Sequence, residues 1–305
     1  MQNYNSKFKI IISAAIFILF PVAVRAAVLY LDPAEGNYYQ GDVFVAALRI
    51  DTKGECVNTL KVDLSFQKDL LEVIDFSQGN SILAIWLQSP KIYQEQGTVS
   101  FIGGIPAGFC GVLAGDPGKS NLLGKIIFKV KEARGGQTSA KVEFSDSSEV
   151  LLNDGLGTKA QLTLKNAIFT IFSGIPEVPQ NQWQEELKKD NILPEIFEVE
   201  INKDPLIFDG KYFITFSSQD KQSGINQYEV KEGNKDWKKA TSPYLLENQW
   251  LRSIIRVKAI DKAGNERIVE KAPLNEPIPW LAIISIVILL GIGYFLYKKR
   301  WRAMK

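Results

Sequence analysis

The sequence predicts an all-β protein that consists of two β-sandwiches followed by one C-terminal helix. Three observations lead to this fold class. Between residues 28 and 173, apolar and polar side chains alternate over short segments, as they do in strands with one buried face. Turn-forming residues separate these segments, and a second alternating group covers residues 194–272. A long uncharged segment, 277–297, follows.

The composition limits the chemistry that the chain can perform. The 305 residues are 46% hydrophobic and 23% charged, which is typical of globular domains. There is no histidine, and there are only two cysteines, so mechanisms that need imidazole and metal sites built from several thiolates are excluded. No aspartate or glutamate stands in a recognisable catalytic context. We therefore expect a protein that is not an enzyme and that uses no cofactor.

The first 26 residues have the pattern of a secretory signal peptide. Lys7 and Lys9 precede the apolar segment Ile10–Phe20, which is too short to span a bilayer comfortably. Val24 and Ala26 are modest in size, as a cleavage site requires. Residues 1–26 are expected to be removed on export, and an uncleaved N-terminal anchor is the alternative.

The first sandwich is predicted over residues 28–173. Over 60–66, four apolar side chains alternate with three polar ones, which gives one buried face and one wet face. Turn signals occur at 35–37, 134–136 and 153–155. About nine short strands over this length predict two packed sheets. The clearest strands are at 43–50, 60–66, 99–101, 126–130, 140–144 and 167–171.

Several of these segments resemble the cohesin domain. A Gly41-Asp42 turn leads into a strand, an alternating strand covers 57–66, and Leu70–Val73 follows it. The segments 123–130 and 150–155 are similar to the seventh strand of the family and the region near its eighth. The resemblance covers roughly residues 30–172. It implies a nine-stranded jelly-roll sandwich, in a superfamily shared with carbohydrate-binding modules. Residues 66–68 depart from the Tyr-Asp-Pro that cohesins often have there.

The resemblance also implies a binding function. The expected partner is a protein module of the dockerin type or a polysaccharide, as in complexes that degrade polysaccharides. A structural cell-envelope or adhesion protein without a soluble ligand is the alternative. Residues 27–297 carry 28 basic and 34 acidic groups, which gives no reason to expect nucleic acid as a partner.

Cohesins recognise their partners on the sheet that includes their third, fifth, sixth and eighth strands. Alternation over 60–66 and 98–102 buries one set of side chains and turns the other set outward. The apolar segment 101–109 is expected in the core, with a contact surface as the alternative. Trp86 is likewise expected in the core rather than on a sugar-stacking surface. The candidate binding face consists of Lys61, Asp63, Ser65, Tyr93, Thr98, Ser100 and Ile102.

Cys56 and Cys110 are predicted to form a disulfide, because an exported chain folds in an oxidising compartment. Their spacing fits neither a redox motif nor a metal site. Acidic groups such as Asp220 and Asp261 lack the spacing of an EF-hand loop. We therefore expect them to be solvated turn residues and predict no metal site, with calcium binding as the alternative.

The remaining segments complete the domain organisation. Residues 174–193 are predicted to be a linker, with a short polar helix over 182–189. Residues 194–272 resemble bacterial Ig-like or fibronectin type III-like repeats, most specifically in the ending Val257–Asn265. Such repeats usually act as stalks, which is what the resemblance implies for this unit.

The end of the chain has the pattern of a membrane anchor. Pro277–Tyr297 contains no charged residue over 21 positions, and a helix of that length spans the hydrocarbon core of a bilayer, about 30 Å. Lys298, Lys299 and Arg300 follow, which predicts that the tail 298–305 is cytoplasmic. The sequence therefore predicts a single-pass protein of the cell membrane, with its body extracellular or periplasmic and the lipid bilayer around 277–297.

Overall fold

The computed structural model describes residues 26–111, 121–133, 135–174, 176, 178–275 and 280–303. The predicted signal peptide lies outside the described residues, apart from Ala26. Residues 276–279, which precede the last helix, also lie outside them. The described chain forms two β units with separate hydrophobic cores. We call residues 27–172 the head and residues 199–271 the second unit.

Twelve strands of the described chain form the head, and they are arranged in two sheets. In chain order they are β1 (Ala27–Asp32), β2 (Glu35–Tyr39), β3 (Val43–Asp51), β4 (Val57–Phe66), β5 (Leu71–Ser77), β6 (Ile85–Tyr93), β7 (Thr98–Phe109), β8 (Leu122–Val130), β9 (Gln137–Phe144), β10 (Glu149–Leu152), β11 (Leu162–Lys165) and β12 (Ala167–Phe172). One sheet has the order β11-β1-β3-β8-β5. The other has the order β2-β12-β9-β4-β7-β6, with β10 paired to β4.

The two sheets enclose one core because their strands turn alternate side chains inward. The four apolar side chains of 60–66 are buried as predicted. Aromatic rings fill the centre, where Tyr38 stacks on Phe44 with ring centroids 3.9 Å apart. Phe101, Ile105 and Phe109 are also buried, so these residues of the segment 101–109 are part of the core, whereas Pro106 and Ala107 are exposed. The predicted all-β sandwich is confirmed.

The strand count differs from the nine that were predicted. The predicted turn at 35–37 is wrong, because these residues begin β2, which pairs in parallel with β12. β10 and β11 have only four residues each, which is too short to display a period of two. β2, β10 and β11 are strands because they pair with distant segments of the chain, and their own sequences do not alternate clearly enough to predict them.

The predicted disulfide between Cys56 and Cys110 is confirmed. Cys56 immediately precedes β4 and Cys110 immediately follows β7. These strands are antiparallel neighbours, with Val57 opposite Phe109. The bond therefore closes the end of the strand pair that carries most of the candidate binding face.

The linker contains the predicted short helix, α1 (Gln182–Lys189). The side chain of Asn181 caps it by accepting a hydrogen bond from the Gln184 N–H at 2.8 Å. Trp183 is buried in a cluster with Val43, Val45 and Ile127 of the head. The linker is therefore packed on the five-stranded sheet.

The second unit has seven described strands in two sheets, with the orders β13-β14-β17 and β16-β15-β18-β19. Phe216, Val230 and Val257 are buried between the two sheets. Its relation to Ig-like repeats stays a prediction. The strands are β13 (Val199–Asp204), β14 (Ile207–Phe216), β15 (Ile225–Glu232), β16 (Lys238–Ala240), β17 (Tyr244–Leu245), β18 (Ile255–Asp261) and β19 (Glu266–Lys271).

A second helix, α2 (Trp280–Ala303), follows the second unit. Within the described part of the chain, no helix combines the length and the apolar character that crossing a membrane requires. The membrane anchor over 277–297 stays a prediction.

Candidate functional site

Four rows of residues cross β4, β7 and β6 on the outer face of the seven-stranded sheet. The rows follow from the strand register, in which Asp63 is opposite Ser100 and Ser100 is opposite Lys91. They alternate along β4 with the buried residues Leu60, Val62 and Leu64. All seven residues of the predicted face lie in the last three rows. The rows are Thr59–Gly104–Ile85, Lys61–Ile102–Gln88, Asp63–Ser100–Lys91 and Ser65–Thr98–Tyr93.

β6 forms one edge of this face. Pro90 lies within it, and proline is tolerated there because an edge strand has one side without sheet partners. The register of β6 against β7 shifts on both sides of Gln88, which distorts the edge locally. Ile85, Leu87 and Tyr93 remain 47%, 68% and 43% exposed. The edge of the face therefore carries exposed apolar side chains, together with Gln88 and Lys91.

Asp63 is the centre of the polar part of the face. Its Oδ2 accepts a hydrogen bond from Ser147 Oγ at 2.7 Å and lies 3.2 Å from Lys61 Nζ. The backbone carbonyl of Asp63 accepts hydrogen bonds from Ser145 N at 2.8 Å and from Ser148 Oγ at 3.1 Å. The loop 145–148 is thus fixed against β4 through this one residue.

Partial burial raises the pKa of the Asp63 carboxyl, but other contacts outweigh it. Hydrogen bonds from Ser100 and Ser147, together with Lys61, lower the pKa of Asp63 to below its ordinary value. The carboxylate is therefore ionised over the whole physiological pH range. It presents a fixed negative charge in the middle of the face.

A groove of about 810 Å³ lies along this face. Five of the predicted residues line it, while Lys61 and Ile102 do not. The far wall of the groove is formed by residues 143–147 and Asn166, which the sequence did not place on the face. The Ser-Asp-Ser-Ser run at 145–148 was the available signal, but alternation says nothing about a loop. The five shared residues are Asp63, Ser65, Tyr93, Thr98 and Ser100.

Exposed tyrosines and tryptophans do not form a row on the described part of the head. Trp86 packs edge-on against Phe76 and tilted against Phe101, with ring centroids 6.0 and 5.4 Å apart, as expected for a residue at the core. Tyr39 and Tyr93 are the exposed ones. They belong to β2 and β6, which are the opposite edges of the sheet.

A second cluster of polar residues lies at the junction between the linker and the second unit. Oxygen atoms of Asp190, Asp220 and Asp261 all lie within 4.8 Å of one another. The side chains are only 7%, 4% and 1% exposed, so the prediction that Asp220 and Asp261 are solvated turn residues is wrong. Burial raises the pKa of Asp220, and the charges of Asp190 and Asp261 raise it further. The sequence analysis named Asp220 and Asp261 but missed Asp190, because the three residues come from separate segments.

No protein-family model matches the chain, and no curated protein matches it. Among solved structures, the head is similar to the OlpC cohesin of Clostridium thermocellum in a type I cohesin–dockerin complex, with 13% identity, a TM-score of 0.39, and coverage of 48% of this chain and 94% of that one. The seventh ScaB type I cohesin of Pseudobacteroides cellulosolvens has 16% identity and a TM-score of 0.36, covering 50% and 96%. The third ScaB cohesin of R. flavefaciens, bound to a group 1 dockerin, has 18% identity and a TM-score of 0.35, covering 51% and 100%. Likenesses of this size carry no argument about the partner of this chain.

Proposed function

We propose that this chain is a non-catalytic binding protein whose head binds a protein module of the dockerin type. The proposed contact surface is the outer face of β4, β7 and β6. The observation that carries the proposal is the set of rows on this face, which combines the Asp63 carboxylate with two exposed apolar side chains of the β6 edge, Ile85 and Tyr93. The cohesin-like sequence of residues 30–172 supports the same partner class.

The face has the chemical make-up of a transient protein interface. Such interfaces combine apolar or aromatic contacts with a polar rim. Here exposed apolar side chains lie along β6, and polar groups are supplied by Asp63, Ser65 and residues 145–147. Because Lys61 and Ser147 already hold the Asp63 carboxylate, little side-chain ordering is needed when a partner donates a hydrogen bond to it.

The same surface supports a protein partner better than a polysaccharide. Sugar-binding sandwiches stack pyranose rings on exposed aromatic side chains. The exposed aromatics of the described head, Tyr39 and Tyr93, lie at opposite edges of the sheet, and Trp86 is occupied by contacts with Phe101 and Phe76. Polysaccharide binding by the head is the second candidate, and a structural envelope protein is the third.

The proposal extends to the whole chain. Residues 1–26 direct export, the second unit acts as an Ig-like stalk, and 277–297 anchor the protein in the cell membrane. The body is then extracellular or periplasmic and residues 298–305 are cytoplasmic. In this arrangement the head presents secreted enzymes or scaffolds of polysaccharide degradation at the cell surface.

Titration calorimetry with dockerin-type modules encoded in the same genome tests the proposal. Ser65→Arg and Tyr93→Ala change exposed side chains of one row, and each is expected to weaken binding by at least about tenfold, or about 1.4 kcal/mol. Thr163→Arg is the matched control, because Thr163 is an exposed residue of β11 in the other sheet. Its affinity should equal that of the unsubstituted chain.

Three results would overturn the proposed contact or partner. Equal affinity of Ser65→Arg, Tyr93→Ala and the unsubstituted chain would move the contact away from this face. Binding to a glycan array with no binding to any dockerin-type module would favour the polysaccharide, and binding to neither would favour the structural protein.

Protease treatment of intact cells tests the orientation, since it should degrade the body and spare the tail 298–305.

A further inference from the structure

Three separate segments supply the buried carboxylates of the junction. Asp190 follows α1 directly, Asp220 lies in the loop after β14, and Asp261 ends β18. Their oxygen atoms lie within 4.8 Å of one another, and all three side chains are at least nine-tenths buried. The fold thus holds three acidic groups together away from bulk water.

Asp190 and Asp261 are oriented by N–H groups. The carboxylate of Asp190 accepts hydrogen bonds from Ile192 N at 3.0 Å and from Ser223 N at 2.9 Å. The carboxylate of Asp261 accepts hydrogen bonds from Asn265 N and Asn265 Nδ2, both at 2.8 Å. These contacts fix both side chains, and each oxygen keeps a lone pair for a further ligand.

Asp220 has one oxygen with no hydrogen-bond donor. Its Oδ1 accepts hydrogen bonds from Gln222 N at 3.0 Å and Gly224 N at 2.7 Å. Its Oδ2 is buried and has no hydrogen-bond partner among the described residues. Such a group is rare in folded proteins, because a buried acceptor without a donor loses its hydration without replacement.

No described side chain balances the negative charge of the cluster with an ion pair. None of the described lysines and arginines forms an ion pair with any of the three carboxylates. Lys262, the neighbour of Asp261 in sequence, pairs with Asp75 of the head instead. Buried carboxylates at this separation repel one another strongly, and a bound cation would relieve this repulsion.

We propose that Asp190, Asp220 and Asp261 bind one calcium ion at this junction. A divalent cation supplies the missing charge and gives Asp220 Oδ2 the partner that it lacks. All the donors are oxygen atoms, which hard cations prefer. Calcium suits the site better than magnesium, because it accepts irregular carboxylate geometry, whereas magnesium demands a near-ideal octahedron and retains most of its water.

The ion would stabilise the position of the head relative to the second unit. The loop 220–224, which Asp220 organises, also contacts the head. Ser77 Oγ donates a hydrogen bond to the Ser223 carbonyl at 2.6 Å. Gly79 lies so close to this loop that a Cβ at that position would be 2.2 Å from Gln222 O. Calcium at Asp220 therefore joins the linker, the second unit and the loop that touches the head.

Calcium binding to the full chain, purified and stripped with a chelator, tests the proposal. Equilibrium dialysis with radioactive calcium should show one bound ion that is absent from Asp220→Asn. Millimolar calcium should raise the melting temperature by about 5 °C or more. Asp236→Asn is the matched control, because Asp236 is an exposed aspartate of the same unit. It should bind calcium and respond to it like the unsubstituted chain.

The calcium-free melting temperature of Asp220→Asn separates ion binding from a structural role. The amide keeps the Oδ1 acceptor for Gly224 and Gln222 and places a donor where the unpartnered oxygen was. We therefore expect a higher melting temperature than that of the unsubstituted chain without calcium, and no response to calcium. Equilibrium dialysis measures calcium binding by the variant, and circular dichroism checks that the variant is folded. A loss of calcium binding is then not mistaken for misfolding.

Three results would overturn the calcium site. They are the absence of a bound ion on the unsubstituted chain, an equal calcium response in Asp220→Asn, and displacement of calcium by an equal concentration of magnesium. The first two remove the site, and the third replaces calcium by magnesium as its ion. None of these measurements involves a partner of the head, so their outcome is independent of the proposed binding function.

Discussion

Lys262 of the second unit and Asp75 of the head form an ion pair across the junction, with Nζ 2.6 Å from Oδ2. The two side chains are only 14% and 31% exposed. Ser77 Oγ donates a hydrogen bond to the Ser223 carbonyl nearby. The two β units are therefore in direct contact and are not connected by the linker alone.

A double-mutant cycle on this pair should reveal a favourable coupling. We expect Asp75→Ala and Lys262→Ala to be coupled by about 1 kcal/mol in the free energy of unfolding, because partial burial limits screening by water. Glu149 and Lys159 form an exposed pair and should be coupled by at most about 0.5 kcal/mol. Urea unfolding of the unsubstituted chain, the four single variants and the two double variants measures both values. Equal coupling in the two pairs would contradict the inference that burial strengthens the junction pair.

Trp183 is the buried residue of the linker helix, and it packs on the head. It is 7% exposed and packs against Val43, Val45 and Ile127. Trp183→Ala is expected to lower the free energy of unfolding by about 3 kcal/mol, since a large buried ring is replaced by a cavity. Trp250→Ala is the control, because Trp250 is 72% exposed, and its effect should stay within about 0.5 kcal/mol. Similar losses in the two variants, measured by urea unfolding, would refute the packing role.

The candidate face could be predicted from the sequence because it depends on local alternation. Once Leu60, Val62 and Leu64 are assigned to the core, the intervening residues must lie on the other side of β4. The same argument places Thr98 and Ser100 on that side of β7. The helix α1 could also be predicted, but its attachment to the head could not, because one tryptophan in a polar helix does not specify the surface that it contacts.

The remaining features depend on contacts between distant segments, which periodicity does not encode. β2 is a strand because β12 offers it parallel hydrogen bonds, although its own residues look like a turn. The loop 145–148 reaches the face through its bonds to Asp63. Asp190, Asp220 and Asp261 are separated by many residues and meet only after the linker and the second unit have folded.

The disulfide between Cys56 and Cys110 should make a large contribution to the stability of the head. The bond closes a loop with a sequence separation of 54 residues. Restricting such a loop in the unfolded chain stabilises the native state by about 4 kcal/mol in the chain-entropy account. We expect the double variant Cys56→Ser, Cys110→Ser to unfold at a correspondingly lower urea concentration. Thiol titration of the unreduced, denatured chain should find no free thiol, and two titratable thiols would contradict the bond.

The stability of the head should depend on pH through Asp63. Hydrogen bonds and Lys61 outweigh burial and lower the pKa of Asp63 in the folded chain, while the unfolded chain has the ordinary value of about 3.9. Folding therefore favours the ionised form. The resulting stabilisation is complete above the unfolded pKa and is lost as the pH falls through the lower, folded pKa.

Comparison of the unsubstituted chain with Asp63→Asn at two pH values isolates this contribution. At about pH 6 the variant should be less stable, because the asparagine side chain has no charge for Lys61 and is a weaker acceptor for Ser147. As the pH falls towards about 2 the difference should shrink, since protonation progressively removes the ionised form that folding favours. Ser147→Ala removes one donor to the carboxylate and should leave a smaller pH dependence than that of the unsubstituted chain. The opposite result is a difference in stability between Asp63→Asn and the unsubstituted chain that is the same at both pH values. Since protonation removes only interactions of the ionised carboxylate, this result would show that Asp63 contributes through packing alone.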